Sequence, residues 1–268
     1  MAGALRFVFA GGGTGGHLFP AIAVAEQLLE MEPGCRVQFL CTERPIDREI
    51  LEPLGLPYLR QPVQPWPTNP LHWPAFVRAW RRSVRLVRGL WRTDPPSVVT
   101  GSGGFGAGPA IRAAWLAGVP SALLNPDAVA GRANRLLGKK VRVVFAQWWA
   151  TSAVLGFGDR LRVTGCPVRR AFLKSDRLEG MQRFGLDRTC STLVVTGASQ
   201  GARTVNLAVK VILPHLAAVP DWQVVHLAGP RDEQMMRDAY QACDVPSRVL
   251  AFTSHMASLL AAADLVLS

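Results

Sequence analysis

The chain predicts an α/β protein of two parallel-sheet domains, the second incomplete in the residues given. Three observations carry this. Apolar runs of strand length alternate with helical patterns along all 268 residues, the rhythm of a parallel sheet with crossover helices. Glycine-rich turns follow several of those runs. The rhythm breaks at Gly165-Cys166-Pro167-Val168-Arg169 and then restarts. The expected division is a first domain over 1–164, a linker over 165–189 and a partial second domain over 190–268.

Each element has a local reason. The apolar run 5–10, centred on Phe7-Val8-Phe9, reads as the first strand, and the apolar-periodic stretch 21–29 reads as a helix. Between them lies Ala10-Gly11-Gly12-Gly13-Thr14-Gly15-Gly16-His17-Leu18-Phe19-Pro20, a glycine turn joining strand to helix. Further strands are expected over 36–41, 97–101, 121–124, 141–146 and 161–164. Pro74 opens a helix over 74–92, because proline suits a first helical turn. A polar helical stretch over 170–184 leads to the second series. There, strand 192–196, a glycine turn and helix 204–216 precede strand 223–227, helix 233–243, strand 248–252, helix 256–262 and strand 264–267. A parallel strand needs a crossover helix to cover its sheet, so more of this domain is expected beyond the last strand.

Hydrophobic residues make up 49% of the chain, enough for a core and too many for a disordered segment. The net charge of +11 is unevenly placed: residues 1–165 hold 19 Lys/Arg against 10 Asp/Glu, residues 166–268 hold 11 against 9. No acidic residue occurs from Pro53 to Thr93, so the first half is the one suited to an anionic partner. The five cysteines (Cys35, Cys41, Cys166, Cys190, Cys243) show neither C-x-x-C nor metal-ligand spacing and read as thiols of a reducing compartment. The first strand starts within five residues, which leaves no room for a signal peptide. No run approaches the roughly 18 apolar residues of a membrane span.

Over 74–92, at about 100° per residue, Arg78, Arg81, Arg82, Arg85, Arg88 and Arg92 fall in one arc of about 120°. Phe76, Trp80, Val84, Val87, Leu90 and Trp91 face the other way, and Trp66 and Trp73 lie just upstream in a proline-rich loop. Such a helix suits anionic lipid headgroups, or it is a packed surface helix with a solvated Arg face. Nucleic acid is not expected, because no recognition motif accompanies the charge.

The first glycine turn carries the chemistry. Its glycines let backbone N–H groups approach a ligand, and the helix start adds partial positive charge, which together suit a phosphate or a sugar. His17 adds an imidazole, the side chain most often used as a general base. Gly11-x-Gly13-x-x-Gly16 also satisfies the dinucleotide fingerprint, but the acid expected at the end of the second strand is missing, since Glu43 lies beyond that end. Three more glycine turns, over 101–109, 130–134 and 197–203, follow strands and would lie at carboxyl ends, where open α/β sheets bind ligands. A tight turn needing glycine for its conformation is the simpler account of any single one.

Together these turns resemble the MurG family of bacterial glycosyltransferases. The matching residues are Gly12-Gly13-Thr14-Gly15-Gly16-His17-x-x-Pro20-Ala21, Gly103-Gly104-Phe105-x-x-Gly108-Pro109, Ala130-Gly131-x-x-Asn134, Gly165-x-Pro167-Val168-Arg169 and Gly197-x-Ser199-Gln200-Gly201-Ala202-Arg203. The resemblance implies a GT-B fold, two Rossmann-like domains facing a cleft, with a longer C-terminus than is present here. It implies an inverting transfer of N-acetylglucosamine from UDP-N-acetylglucosamine to an undecaprenyl-linked muramoyl-pentapeptide at the cytoplasmic face of the plasma membrane, in peptidoglycan synthesis.

His17 would then be the catalytic base. Thr14, Gly15, Gly16, Asp127, Arg169, Ser199, Gln200 and Thr253 would be on the donor side; Gly104, Phe105 and Asn134 on the acceptor side; Arg78, Trp80, Arg82 and Arg85 toward an anionic membrane surface. No cofactor and no metal ion are expected, because no Asp-x-Asp motif occurs and helix dipoles with Arg169 can neutralise the leaving UDP. The chain departs from the family at Leu124-Asn125-Pro126-Asp127, where the pattern is His-Glu-Gln-Asn, and at Phe105 and Cys166, where Tyr and Asn are usual. Two alternatives stay open: a related transferase with another lipid or sugar acceptor, and a catalytically impaired binding or scaffold protein.

Overall fold

The computed structural model describes residues 4–155, 157–197 and 201–268, and the chain forms two compact units, Met1–Arg169 and Arg170–Ser268. The first unit holds strands β1 (Arg6–Ala10), β2 (Arg36–Cys41), β3 (Tyr58–Arg60), β4 (Val98–Gly101), β5 (Ser121–Asn125), β6 (Val143–Ala146) and β7 (Leu161–Val163). They form one sheet in the order β3-β2-β1-β4-β5-β6-β7, every pair parallel. Helices α1 (Gly15–Met31), α2 (Pro45–Leu51), α3 (Trp73–Leu90), α4 (Gly104–Ala117), α5 (Arg132–Leu137) and α6 (Ala150–Leu155) connect them.

Alternation along β1 divides the core between the two faces of the sheet. Val8 and Ala10 join Leu40, Val87, Val99 and Ile111 on one face. Phe9 joins Leu18, Ile22, Phe39 and Leu124 on the other, with the Phe9 and Phe39 rings stacked at 5.4 Å. Chain order reverses between β1 and β4, which makes their carboxyl ends the switch point of the sheet.

The second unit begins with α7 (Arg170–Lys174) and α8 (Arg177–Phe184). Then come β8 (Ser191–Thr196), α9 (Arg203–Ala217), β9 (Trp222–Leu227), α10 (Glu233–Ala242), β10 (Ser247–Leu250), α11 (Met256–Ala262) and β11 (Leu265–Leu267). Its parallel sheet runs β10-β9-β8-β11, so β8 and β11 flank the switch point.

Several expectations need correcting. Helices α7 and α8, read as part of a linker, pack on α11 inside the second unit, and a β-carbon on Gly180 would overlap the Ser258 carbonyl. Helix α1 starts six residues earlier than its apolar period, at Gly15, so His17 is a first-turn helical residue. Trp80 does not share the exposed arginine face: it is half-buried, stacks toward Phe76 at 6.1 Å, and lies over Gly108, where a β-carbon would stand 2.5 Å from its ring. Arg78, Arg82 and Arg85 are exposed. Among the described residues no helix is long and apolar enough to cross a membrane.

Candidate active site

The first glycine turn leaves β1 under tight constraint. Gly11 N–H donates to the Leu40 carbonyl at 3.0 Å, and Ser102 N–H reaches back from the end of β4 to the Ala10 carbonyl at 2.8 Å. Gly12 and Gly13 have φ of +117° and +84°, in the left-handed region that glycine alone enters readily. Thr14 is the N-cap of α1 in extended conformation, and Gly15 and Gly16 follow as the first helical residues. Their free N–H groups make the local field positive.

His17 occupies the next position. Its Nδ1 lies 3.2 Å from Thr14 Oγ1 and 3.4 Å from the Gly12 carbonyl oxygen. The ring lies along Gly103 and Gly104 at the start of α4. A β-carbon on Gly104 would stand 3.0 Å from Nδ1, and one on Gly103 would stand 3.3 Å from Nε2 and 3.5 Å from Asn134 Nδ2. Both glycines have positive φ, so the bare backbone is what admits the imidazole. Phe105 lies over Gly13, whose β-carbon would stand 3.5 Å from its ring. Asn134, buried on α5, donates from Nδ2 to Asn125 Oδ1 at 2.9 Å, and its own Oδ1 has no hydrogen-bond partner among the described residues.

The structure therefore gathers Thr14, Gly15, Gly16, His17, Gly104, Phe105 and Asn134 at the β1/β4 switch point. It does not bring Asp127 into that group: the side chain is exposed beyond β5, and its backbone carbonyl accepts from Asn125 Nδ2 at 2.6 Å and from Thr151 Oγ1 at 3.2 Å. Arg169 sets its guanidinium 4.4 Å from the Phe19 ring centroid of α1; burial pulls its pKa down, opposed by Glu26. Thr253 follows β10 in the second unit, where its hydroxyl accepts the His255 N–H at 3.1 Å. Ser199 and Gln200 lie outside the described residues.

Three site residues escaped the sequence reading. Asp47, in the first turn of α2, has no exposed surface and accepts Gly13 N–H at 2.6 Å. Thr42 donates to the same carboxylate from its N–H and hydroxyl at 2.8 and 2.5 Å. Arg44 donates to the Gly13 carbonyl at 3.0 Å and lies 5.3 Å from the Phe105 ring centroid. The available signal was a carboxylate soon after the second strand. The residue considered there, Glu43, is exposed, while Asp47 turns inward onto the glycine loop. Among the described residues no group of His, Cys, Asp and Glu could hold a metal ion.

Comparison with known proteins matches residues 7–146 to the glycosyltransferase family 28 N-terminal domain and residues 192–268 to the family's C-terminal domain. A UDP-N-acetylglucosamine--N-acetylmuramyl-(pentapeptide) pyrophosphoryl-undecaprenol N-acetylglucosamine transferase of Anaeromyxobacter sp. (strain Fw109-5) is 34% identical, over 98% of this chain and 68% of its own. A protein of the same name from Desulfitobacterium hafniense (strain Y51) is 31% identical, over 97% of this chain and 72% of its own. The fold is similar to that of Acinetobacter baumannii MurG, with TM-score 0.67 and 24% identity over 98% of this chain and 70% of that one. It is also similar to a UDP-GlcNAc 2-epimerase from Neisseria meningitidis, with TM-score 0.70 and 14% identity over 98% of this chain and 76% of the other.

Proposed function

The chain belongs to glycosyltransferase family 28, and from that membership we propose that it is an inverting transferase with His17 as general base. It moves N-acetylglucosamine from UDP-N-acetylglucosamine to the lipid-linked muramoyl-pentapeptide of peptidoglycan synthesis, the reaction for which its relatives are named. The muramoyl hydroxyl oxygen bonds to C1 of the donor sugar, the bond from C1 to the UDP oxygen breaks, and UDP leaves with the electron pair. The hydroxyl proton passes to His17 Nε2.

One observation carries the role of His17: its Nδ1 is engaged by Gly12 and Thr14, which leaves Nε2 as the ring nitrogen able to take a proton. On the acceptor side, the unpartnered Oδ1 of Asn134 suits a ligand hydroxyl, and Phe105 and Gly104 line the same opening. On the donor side, Thr14, Gly15 and Gly16 present N–H groups, with Arg169, Ser199, Gln200 and Thr253 as further donor contacts, while Asp127, expected with them, is not one of them. The charge on UDP is met by helix starts and Arg169, without a metal or another cofactor.

The exposed arginines of α3 suit an anionic membrane surface at its cytoplasmic face. An open groove of about 480 Å³ on this helix is lined by Trp73, Pro74, Val77, Arg78, Arg81 and Arg85.

Transfer of labelled N-acetylglucosamine to the lipid acceptor tests this reading. His17→Ala is expected to lower kcat about 10²- to 10⁴-fold. Parental turnover in that variant removes His17 from the base role.

A further inference from the structure

The peptide unit between Gly12 and Gly13 is held at both ends. Its N–H, on Gly13, donates to Asp47 Oδ1 at 2.6 Å, and its carbonyl oxygen, on Gly12, stands 3.4 Å from His17 Nδ1. A carbonyl oxygen only accepts, so this contact is a hydrogen bond in the Nδ1–H tautomer, which leaves the lone pair on Nε2; the Thr14 hydroxyl, 3.2 Å from Nδ1, can accept in that same tautomer. We propose that Asp47 is a positioning residue for His17. It acts through this peptide to hold the imidazole in the Nδ1–H tautomer with Nε2 free for the acceptor hydroxyl. The proposal rests on the reading of His17 as the base.

The physical argument has three parts. A carboxylate on the N–H end of an amide polarises it and makes its oxygen a better acceptor, as in any chain of hydrogen bonds. The Asp47 carboxylate is fixed for that purpose: it has no exposed surface, and Thr42 ties down its other oxygen through both N–H and hydroxyl. The neighbouring peptide is clamped with the opposite charge, because Arg44 Nη1 donates to the Gly13 carbonyl at 3.0 Å. Gly12 is required twice over, by its φ of +117° and because a β-carbon there would overlap the Asp47 carboxylate. The arrangement does the work of a carboxylate that orients a catalytic histidine directly, with one peptide interposed.

The test uses the full chain labelled with ¹⁵N-histidine, the His17 signals being assigned by their loss in His17→Ala. In the parent, neutral His17 is expected predominantly as the Nδ1–H tautomer. In Asp47→Asn, which keeps size and loses charge, the tautomers are expected to mix. In that variant kcat should fall about tenfold or more while the donor KM stays within about threefold. Asp47→Glu should recover more of both signals than Asp47→Asn. An unchanged tautomer ratio in Asp47→Asn overturns the proposal. If Asp47→Asn does not fold, the parent spectrum still decides: a predominant Nε2–H tautomer overturns it. The tautomer measurement needs no turnover, so a failure of the base reading, seen as parental kcat in His17→Ala, is registered separately.

Discussion

His226 on β9 has no exposed surface; its Nε2 lies 3.0 Å from Asn206 Oδ1 and its Nδ1 3.0 Å from the Tyr240 hydroxyl. Burial pushes its pKa from 6.5 down to about 4, and burial pushes the Tyr240 phenol up. The unfolded chain therefore binds a proton between these two values that the folded chain refuses. The associated stability is complete above about pH 6.5 and is lost as pH falls toward 4, by about 3 kcal/mol. Urea unfolding at pH 7 and pH 4 is expected to show this loss, and His226→Gln should flatten the slope; an equal slope in both proteins rejects the assignment. At this scale the sequence was legible for position: His17 lies in the first turn of α1 against Gly103 and Gly104, next to the glycine turn that singled it out. It was not legible for Asp47, whose partner Gly13 lies 34 residues away and whose inward turn depends on how α2 packs.

Elements were legible where apolar runs are long, as in β1, β2 and β8, and least so where packing replaces propensity. Helix α4 opens with Gly104, Gly106 and Gly108 before Pro109, a composition that reads as loop. It is helical because those glycines permit close approach: a β-carbon on Gly106 would stand 2.9 Å from the Gly11 carbonyl oxygen. Strand β3 is three partly exposed residues at the sheet edge, too short for a period to show. The same close-approach logic governs α8, where Gly180 touches the Ser258 backbone of α11. Gly180→Ala is expected to force those helices apart and destabilise the second unit by about 1–3 kcal/mol, read as a lower urea midpoint; an unchanged midpoint would show that the helices can part without loss.

Across the whole molecule the charge imbalance seen in the sequence is densest on α3, where Arg78, Arg81, Arg82, Arg85 and Arg88 are all exposed. At about 1 kcal/mol for each cation near an anionic surface, replacing Arg78, Arg82 and Arg85 together by Ala should weaken binding to anionic vesicles about a hundredfold. Binding should also fall with added salt. Equal binding to neutral vesicles would remove the membrane reading. The notch at Gly108 gives this face a mechanical meaning. Trp80 of α3 seats in that notch, and Phe105, which covers Gly13, stands three residues away on the same helix, about 4.5 Å along its axis. Helix α4 is thus a short stiff beam with the basic helix bearing on one point and the glycine loop on the next. Within one turn of α4, therefore, Gly108 sets how closely the basic helix can approach and Phe105 covers the glycine loop, so a larger residue at 108 would displace Trp80 from the same turn that roofs Gly13.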